Sequence, residues 1–186
     1  MHKKSSVIYR INSQDQIVFV NDRWNQFASA NDSVHLMKHG VLGKSLWDFI
    51  TDYSTRDLYQ QMVNSVRKGK TVEFKFRCDS PNWRRFLEMH ITTHKDHTVQ
   101  FECKTIFTED RPLQKLLDKE TLRSEKVVVI CSFCKKVNTR EDYWHDVEDA
   151  VSMIGAFDSE HFPILSHGIC IECYPTLLNQ LNRKQY

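Results

Sequence analysis

The chain has 186 residues, of which 40% are hydrophobic and 27% are charged, and its formal net charge is +2. This length and composition predict a soluble protein with one core of ordinary domain size and a small additional module. The balanced charge excludes a basic field over the whole surface, which would be typical of nonspecific binding to nucleic acid or anionic membranes, but leaves open a local basic patch.

The first residues and the cysteines of the chain predict the cellular compartment of the protein. The first residues lack the apolar stretch and the cleavage site of a secretory signal peptide, and no apolar run approaches the roughly 20 residues that span a bilayer. We therefore expect a cytoplasmic protein with no membrane partner. In a reducing compartment, six cysteines are expected to be thiols, metal ligands or redox centres rather than disulfides.

The first part of the chain predicts two short strands and then helices. Val7–Ile11 and Gln16–Val20 are apolar, β-branched runs separated by turn residues. Arg23–Ala30 has apolar residues at helical spacing. Thr51–Ser54 offers a cap for a longer helix that stops at Gly69. The apolar stripe of that helix consists of Leu58, Met62, Val63 and Val66.

Three strands follow, each with apolar residues alternating with polar ones. The apolar positions are Val72, Phe74, Phe76 and Cys78, then Leu87, Met89 and Ile91, then Val99, Phe101 and Cys103. Such alternation predicts an antiparallel sheet with one buried and one solvated face. Cys78 and Cys103 fall on the apolar faces, which favours small core residues over reactive ones.

The order of these elements resembles a PAS domain over residues 5–108. The resemblance also includes Asn21 after the second strand, the Gly43–Phe49 segment and the closing three-stranded meander. It implies an α+β fold in which a five-stranded antiparallel sheet carries helices on one face. It further implies a domain that binds a small ligand or a partner, and a homodimer formed through the N-terminal segment and the outer face of the sheet.

The residues do not identify a ligand for such a domain. The cysteine-bearing motif of flavin photosensors is absent, and the helix Thr55–Arg67, where a haem-binding histidine often lies in PAS sensors, has no histidine. His35 and His39 lie earlier and are expected to be exposed. We therefore expect neither flavin nor haem, and the ligand stays unknown.

Residues 109–126 are rich in charges and contain four leucines that keep no heptad spacing. This pattern favours a solvated, partly helical linker over a helix that pairs with a second copy. It separates the PAS-like domain from a cysteine-rich module at residues 127–186.

That module contains two C-x-x-C pairs, formed by Cys131 with Cys134 and by Cys170 with Cys173. Each pair can direct two thiolates at one ion, and two pairs complete the tetrahedral shell of a structural zinc site. His167 is an alternative fourth ligand or a hydrogen-bond donor to the thiolates.

The 35 residues between the pairs predict a helix over Asp142–Ile154, from the spacing of Trp144, Val147, Val151 and Ile154. A zinc ion would then clamp the ends of a helical excursion too small for a full core. His145 and His161 are expected on the surface.

The cysteine-rich segment also resembles a tail found after PAS domains in bacterial proteins, with the pattern C-x-x-C-K, a Trp-bearing helix and SHGIC-x-x-C. Ile171 stands where that tail usually has proline. The resemblance brings no activity with it. Four cysteines would close the metal shell, and the motifs of zinc deaminases, zinc proteases, serine hydrolases and phosphate-binding loops are absent.

These observations favour a non-enzymatic bacterial sensory or adaptor protein that signals through an unidentified partner protein. Two alternatives stay open. One is a nucleic-acid-binding regulator that uses Lys135, Lys136 and Arg140 near the first cysteine pair. The other is a thiol redox sensor whose cysteines release the metal on oxidation.

Overall fold

The computed structural model describes the chain except for residues 1–5, 32, 142, 156–160 and 183–186. Its strands are β1 (Val7–Ile11), β2 (Ile17–Val20), β3 (Val72–Arg77), β4 (Trp83–Thr93), β5 (Val99–Asp110), β6 (Arg123–Cys131), β7 (Val137–Arg140), β8 (Tyr143–His145) and β9 (Phe162–Gly168). Its helices are α1 (Asp22–Ala30), α2 (Lys38–Val41), α3 (Tyr53–Arg67), α4 (Val147–Met153) and α5 (Cys173–Asn182). None of the helices in the described part of the chain combines the length and apolar composition that a bilayer crossing requires.

The first five strands form an antiparallel sheet in the order β2-β1-β5-β4-β3. β1 pairs with β5 so that Tyr9 lies opposite Phe101, and their rings stack with centroids 4.4 Å apart. The apolar positions predicted from alternation are largely buried, namely Val72, Phe74, Leu87, Met89, Ile91, Val99 and Phe101. The predicted three-stranded meander and its buried face are therefore confirmed.

Two capped helices contribute to the same core. The Asn21 side chain accepts a hydrogen bond from the Trp24 N–H at the start of α1, and Asp52 accepts one from the Thr55 N–H at the start of α3. After α3, Gly69 has a φ of +89°, a conformation that glycine adopts without steric cost. The predicted stripe of α3 is buried: Leu58, Met62, Val63 and Val66.

The remaining strands form a second sheet in the order β8-β7-β6-β9. β6 and β9 are parallel, whereas β7 is antiparallel to both of its neighbours. This sheet and α4 enclose a separate apolar core, whose buried members include Leu116, Ile130, Val137, Val147, Ala150, Val151 and Phe162.

The helix predicted over Asp142–Ile154 is wrong in its first part. Trp144 belongs to β8, where it pairs with Asn138, and α4 begins only at Val147; Asp142 lies outside the described residues. Aromatic side chains favour strands, and pairing with β7 satisfies the backbone of this segment. In the residues that the structure describes, the chain between the two cysteine pairs therefore contains three strands as well as α4, and it is not a purely helical excursion.

Residues 109–126 also differ from the predicted solvated linker. β5 extends to Asp110 and β6 begins at Arg123, leaving a short connection with a 3-10 turn at Lys115–Leu117. Leu116 is fully buried in the core of the second sheet. The leucines of residues 109–126 do not follow a helical repeat, because the buried Leu116 lies in the 3-10 turn.

The chain divides into two compact units at other positions than the predicted boundaries. The first unit contains the residues through Phe74, then Glu88–Thr105 and the chain from Asn179 onward. The second contains Lys75–Leu87 and Ile106–Leu178. The end of β3 belongs to the second unit, in which the Arg77 N–H donates a 2.7 Å hydrogen bond to the Phe133 carbonyl.

Candidate metal centre

The first cysteine pair forms a tight turn at the end of β6. The Cys131 N–H donates to the Lys136 carbonyl at 2.8 Å, and the Lys135 N–H donates to the Cys131 carbonyl at 3.1 Å. Lys135 has a φ of +62°, which is uncommon for a residue with a side chain. This backbone reversal returns the chain toward β7 and leaves Cys131 and Cys134 on the same side of the turn.

The second pair lies between β9 and α5. Cys170 donates its N–H to the Cys131 sulfur at 3.4 Å, and Cys173, the first residue of α5, donates its N–H to the Cys170 sulfur at 3.3 Å. Both bonds aim a backbone N–H group of the second turn at a sulfur of the cluster.

Parallel pairing of β6 with β9 brings the two turns together. Cys131 lies opposite Gly168 in the register, and the Ser132 N–H donates to the Gly168 carbonyl at 2.8 Å. A side chain at 168 would place its Cβ 2.8 Å from Val129 Cγ1, well inside normal contact distance. A side chain at 168 would therefore require the Val129 side chain to move, so Gly168 favours the register that aligns the two pairs.

The four sulfurs predicted from the two motifs do meet. All four lie within 4.8 Å of one another, and the Cys134 and Cys170 sulfurs are 3.7 Å apart. Cys131 and Cys170 are fully buried, whereas Cys134 and Cys173 are half-buried. This arrangement can hold one metal ion with four thiolate ligands.

Hydrogen bonds between the sulfurs shift the pKa values of three of the four cysteines. The pKa of Cys131 is lowered because Cys134 and Cys173 donate hydrogen bonds to its thiolate. The pKa of Cys134 is raised to about 12 by its hydrogen bond to Cys131, and that of Cys173 is raised by its hydrogen bonds to Cys131 and Cys134. Without a cation the cluster would therefore carry few thiolates, and a divalent ion supplies the charge that lets the others ionise.

The histidines considered from the sequence lie outside this cluster. His167 is on β9, exposed and opposite Ile130, and it is not among the groups gathered at the four sulfurs. His145 is a half-buried residue of β8, and His161 is exposed. Among the described residues, the potential metal ligands at this site are therefore the four cysteines.

Cys78 and Cys103 are likewise separate from the cluster. Both are half-buried rather than fully buried, so they lie at the margins of the cores and not in their centres. In the register of β1 with β5, Cys103 lies opposite Val7.

A second group of metal-binding residue types was not predicted. Glu73, Glu88 and His90 lie on the solvated face of the first sheet, and His90 is 3.0 Å from Glu88 and 3.4 Å from Glu73. Alternation places all three on the polar face, but only the pairing of β3 with β4 makes them neighbours. Glu73 is exposed, and exposed carboxylates commonly gather without an ion.

A buried ion-pair network in the second unit was also not predicted. Arg111 lies 2.8 Å from Asp79 and 2.8 Å from Glu148, and its side chain is 2% exposed. Arg77 pairs with Asp79 as well, and Arg84 reaches Glu148 at 2.7 Å. The network joins residues distant in sequence, so no local pattern could indicate it.

The fold and the site define an α+β protein with a four-cysteine centre near its C-terminus. No protein-family model matches the sequence, and no curated protein matches it. The functional assignment therefore depends on the geometry of this chain.

Proposed function

We propose that the four cysteines hold a structural zinc ion in a non-enzymatic bacterial sensory or adaptor protein. In this proposal the first part of the chain is a PAS-type domain that binds a small ligand or a partner. The cysteine-rich part passes the signal to another protein. The observation that carries the proposal is the convergence of four thiols at ligand distance.

The spacing of the sulfurs supports zinc. Zinc binds thiolates at about 2.3 Å in a tetrahedron, so adjacent sulfurs should be about 3.8 Å apart. The Cys134 and Cys170 sulfurs are 3.7 Å apart. Two C-x-x-C turns that present four sulfurs in this way are typical of structural zinc sites in reducing compartments.

The ligand set supports a structural role for the metal. A catalytic zinc keeps one coordination position for water or substrate, whereas four thiolates fill a tetrahedral shell. Two of the ligands, Cys131 and Cys170, are completely buried. The ion would therefore join the end of β6 to the start of α5.

The order of elements supports the PAS-type assignment. The chain forms two strands, a set of short helices, one longer helix and three more strands, in that order. The five strands form a single antiparallel sheet in which β1 lies next to both β2 and β5. We propose a homodimer on the same resemblance. A cytoplasmic location is proposed from the free cysteines and the metal-binding motif.

The contacts of two of the three basic residues, Lys135 and Lys136, make the nucleic-acid alternative weaker. The Lys135 ammonium donates to the Ser132 carbonyl at 3.0 Å, and Lys136 pairs with Glu172 at 2.9 Å. Both cations at the first turn are therefore engaged within the module. Salt-dependent binding to arbitrary duplex DNA would instead support a regulator that contacts phosphates.

Native mass spectrometry of the purified protein tests the proposal directly. We expect one zinc ion per chain, a dimer and, where a ligand copurifies, a small molecule bound outside the cysteine-rich module. Cys170→Ser should abolish zinc retention because it removes a fully buried ligand. Cys103→Ser, which alters a cysteine outside the cluster, should retain zinc. Metal-free wild-type protein that keeps its fold would contradict the zinc assignment, and a monomer would contradict the dimer.

A further inference from the structure

The four cysteines of the metal centre differ in their access to solvent. Cys131 and Cys170 are completely buried, whereas Cys134 and Cys173 are half-buried. Each C-x-x-C pair thus contributes one buried cysteine and one half-buried, more accessible cysteine. A reagent approaching from outside would reach the second cysteine of each pair first.

A cavity of about 210 Å³ adjoins the two accessible cysteines and opens to the surface. Cys134 and Cys173 both line it, and its walls are otherwise largely apolar, formed by Phe76, Phe86, Leu87, Ile106 and Phe133. All of these residues belong to the second unit. The cavity therefore offers an apolar space next to two nucleophilic sulfurs.

The size and lining of the cavity select the kind of molecule that fits. Pockets for drug-sized ligands usually occupy about 300–1,000 Å³, so this cavity suits a smaller, single-ring molecule. Its apolar walls favour an uncharged body. Lys75 and Arg77 also line it, and the Arg77 guanidinium is paired with Asp79.

We propose that Cys134 and Cys173 form a modification site for small, uncharged electrophiles of the enone and maleimide class. This inference depends on the metal centre proposed above only for its consequence, the release of the ion. The site would make the cysteine-rich module a sensor of such electrophiles, a role distinct from oxidation of the thiols.

The reaction needs no oxidant. The thiolate sulfur forms a bond to the β-carbon of the electrophile, the electron pair of the C=C bond moves to the bond between the α-carbon and the carbonyl carbon, and the electron pair of the C=O bond moves onto the oxygen. The resulting enolate takes a proton from water, which completes the addition. The sulfur becomes a neutral thioether, a weaker metal ligand than a thiolate, so the metal shell loses one of its anionic donors.

Position in the fold distinguishes these two cysteines from the others. Cys131 and Cys170 are shielded by burial. Cys78 and Cys103 are half-buried, but neither lines the cavity. By exposure alone, Cys78 and Cys103 would be expected to react as fast as Cys134 and Cys173. The cavity is the feature that distinguishes Cys134 and Cys173 from them.

Limited alkylation of the zinc-loaded protein with N-ethylmaleimide tests the inference. Fragmentation mass spectrometry locates the first adducts, and a chromogenic chelator follows metal release. We expect adducts at Cys134 or Cys173 to form about tenfold faster than at the other cysteines, since modification follows exposure and the cavity gives the reagent access to these two residues. Metal release should follow the same time course. First adducts on Cys78, Cys103 or the buried pair would overturn the inference.

A matched pair of variants tests the role of the cavity. Ile106→Trp should fill its entrance and slow the modification by about tenfold, because access to the sulfurs is reduced. Leu113→Trp changes another exposed aliphatic residue of the second unit that does not line the cavity, and should leave the rate unchanged. Equal rates in both variants would overturn the role of the cavity.

The metal content before alkylation separates the two proposals. Selective modification of Cys134 or Cys173 in a protein that carries no metal would support the electrophile site and contradict the zinc centre. Unselective modification of a zinc-loaded protein would instead support the zinc centre and contradict the electrophile site.

Discussion

Asp79 forms ion pairs with two arginines at a position that is almost inaccessible to solvent. Its side chain is 1% exposed and lies 2.8 Å from Arg111, whose own side chain is 2% exposed. Arg77 contacts the same carboxylate. Burial of such charges is tolerated because they neutralise one another, and removal of one partner leaves the other uncompensated.

Asp79→Asn should therefore lower the free energy of unfolding by about 3 kcal/mol, because it leaves the Arg111 charge buried with less compensation. Urea denaturation at a fixed zinc concentration measures the change. Glu109→Gln provides the control, since the Arg84–Glu109 pair at 3.2 Å is partly exposed on both sides. Exposed pairs contribute less than about 1 kcal/mol. Equal losses in the two variants would contradict the assigned importance of the buried pair.

Among the elements, the parallel pair of β6 and β9 decides whether the cysteine pairs can meet. Gly168→Ala introduces a Cβ that would lie 2.8 Å from Val129 Cγ1. We expect the variant to lose about 1–3 kcal/mol of stability through overpacking, and to bind zinc more weakly because the register of the two turns shifts. Urea denaturation and a competition assay with a chromogenic chelator measure these two effects.

Val129→Ala removes the side chain that the new methyl group would meet. Combined with Gly168→Ala, it should recover part of the lost stability, so that the double variant is more stable than the sum of the single effects implies. Strictly additive losses would show that the two residues do not contact each other across the strands.

Local sequence patterns predicted much of the first sheet. Alternation placed Leu87, Met89 and Ile91 on a buried face, and helical spacing placed Leu58 and Met62 in α3. These predictions hold because each pattern reports which face of a single element is buried. The four cysteines were also predictable, since each C-x-x-C pair forms its own turn.

The second sheet could not be predicted in the same way. Its central pairing joins Val127 to Ile164 and Cys131 to Gly168, between segments far apart in sequence. No local periodicity reports such pairing. Trp144 illustrates the consequence, because its spacing to Val147 matches a helix while its backbone pairs with Asn138 in a sheet.

At the scale of the whole molecule, the second unit does not depend on the metal alone. The four-stranded sheet has its own apolar core, including the fully buried Val137 and Val147. The sequence had instead suggested a module too small to fold by burial. The two cysteine turns, by contrast, are held by a few hydrogen bonds of the backbone and, in our proposal, by the zinc ion that their sulfurs bind.

Removal of zinc should therefore open the turns before it unfolds the sheet. With a strong chelator present, we expect amide hydrogen exchange to accelerate at residues 131–136 and 170–174, while amides of β6 beside β9 stay protected. β1 and the residues of β5 that pair with it, Val99 to Cys103, provide the internal control in the first unit and should exchange at unchanged rates. If protection were lost throughout β6, β7 and β9 together, the metal would be required for the fold of the second unit and not only for its cysteine turns.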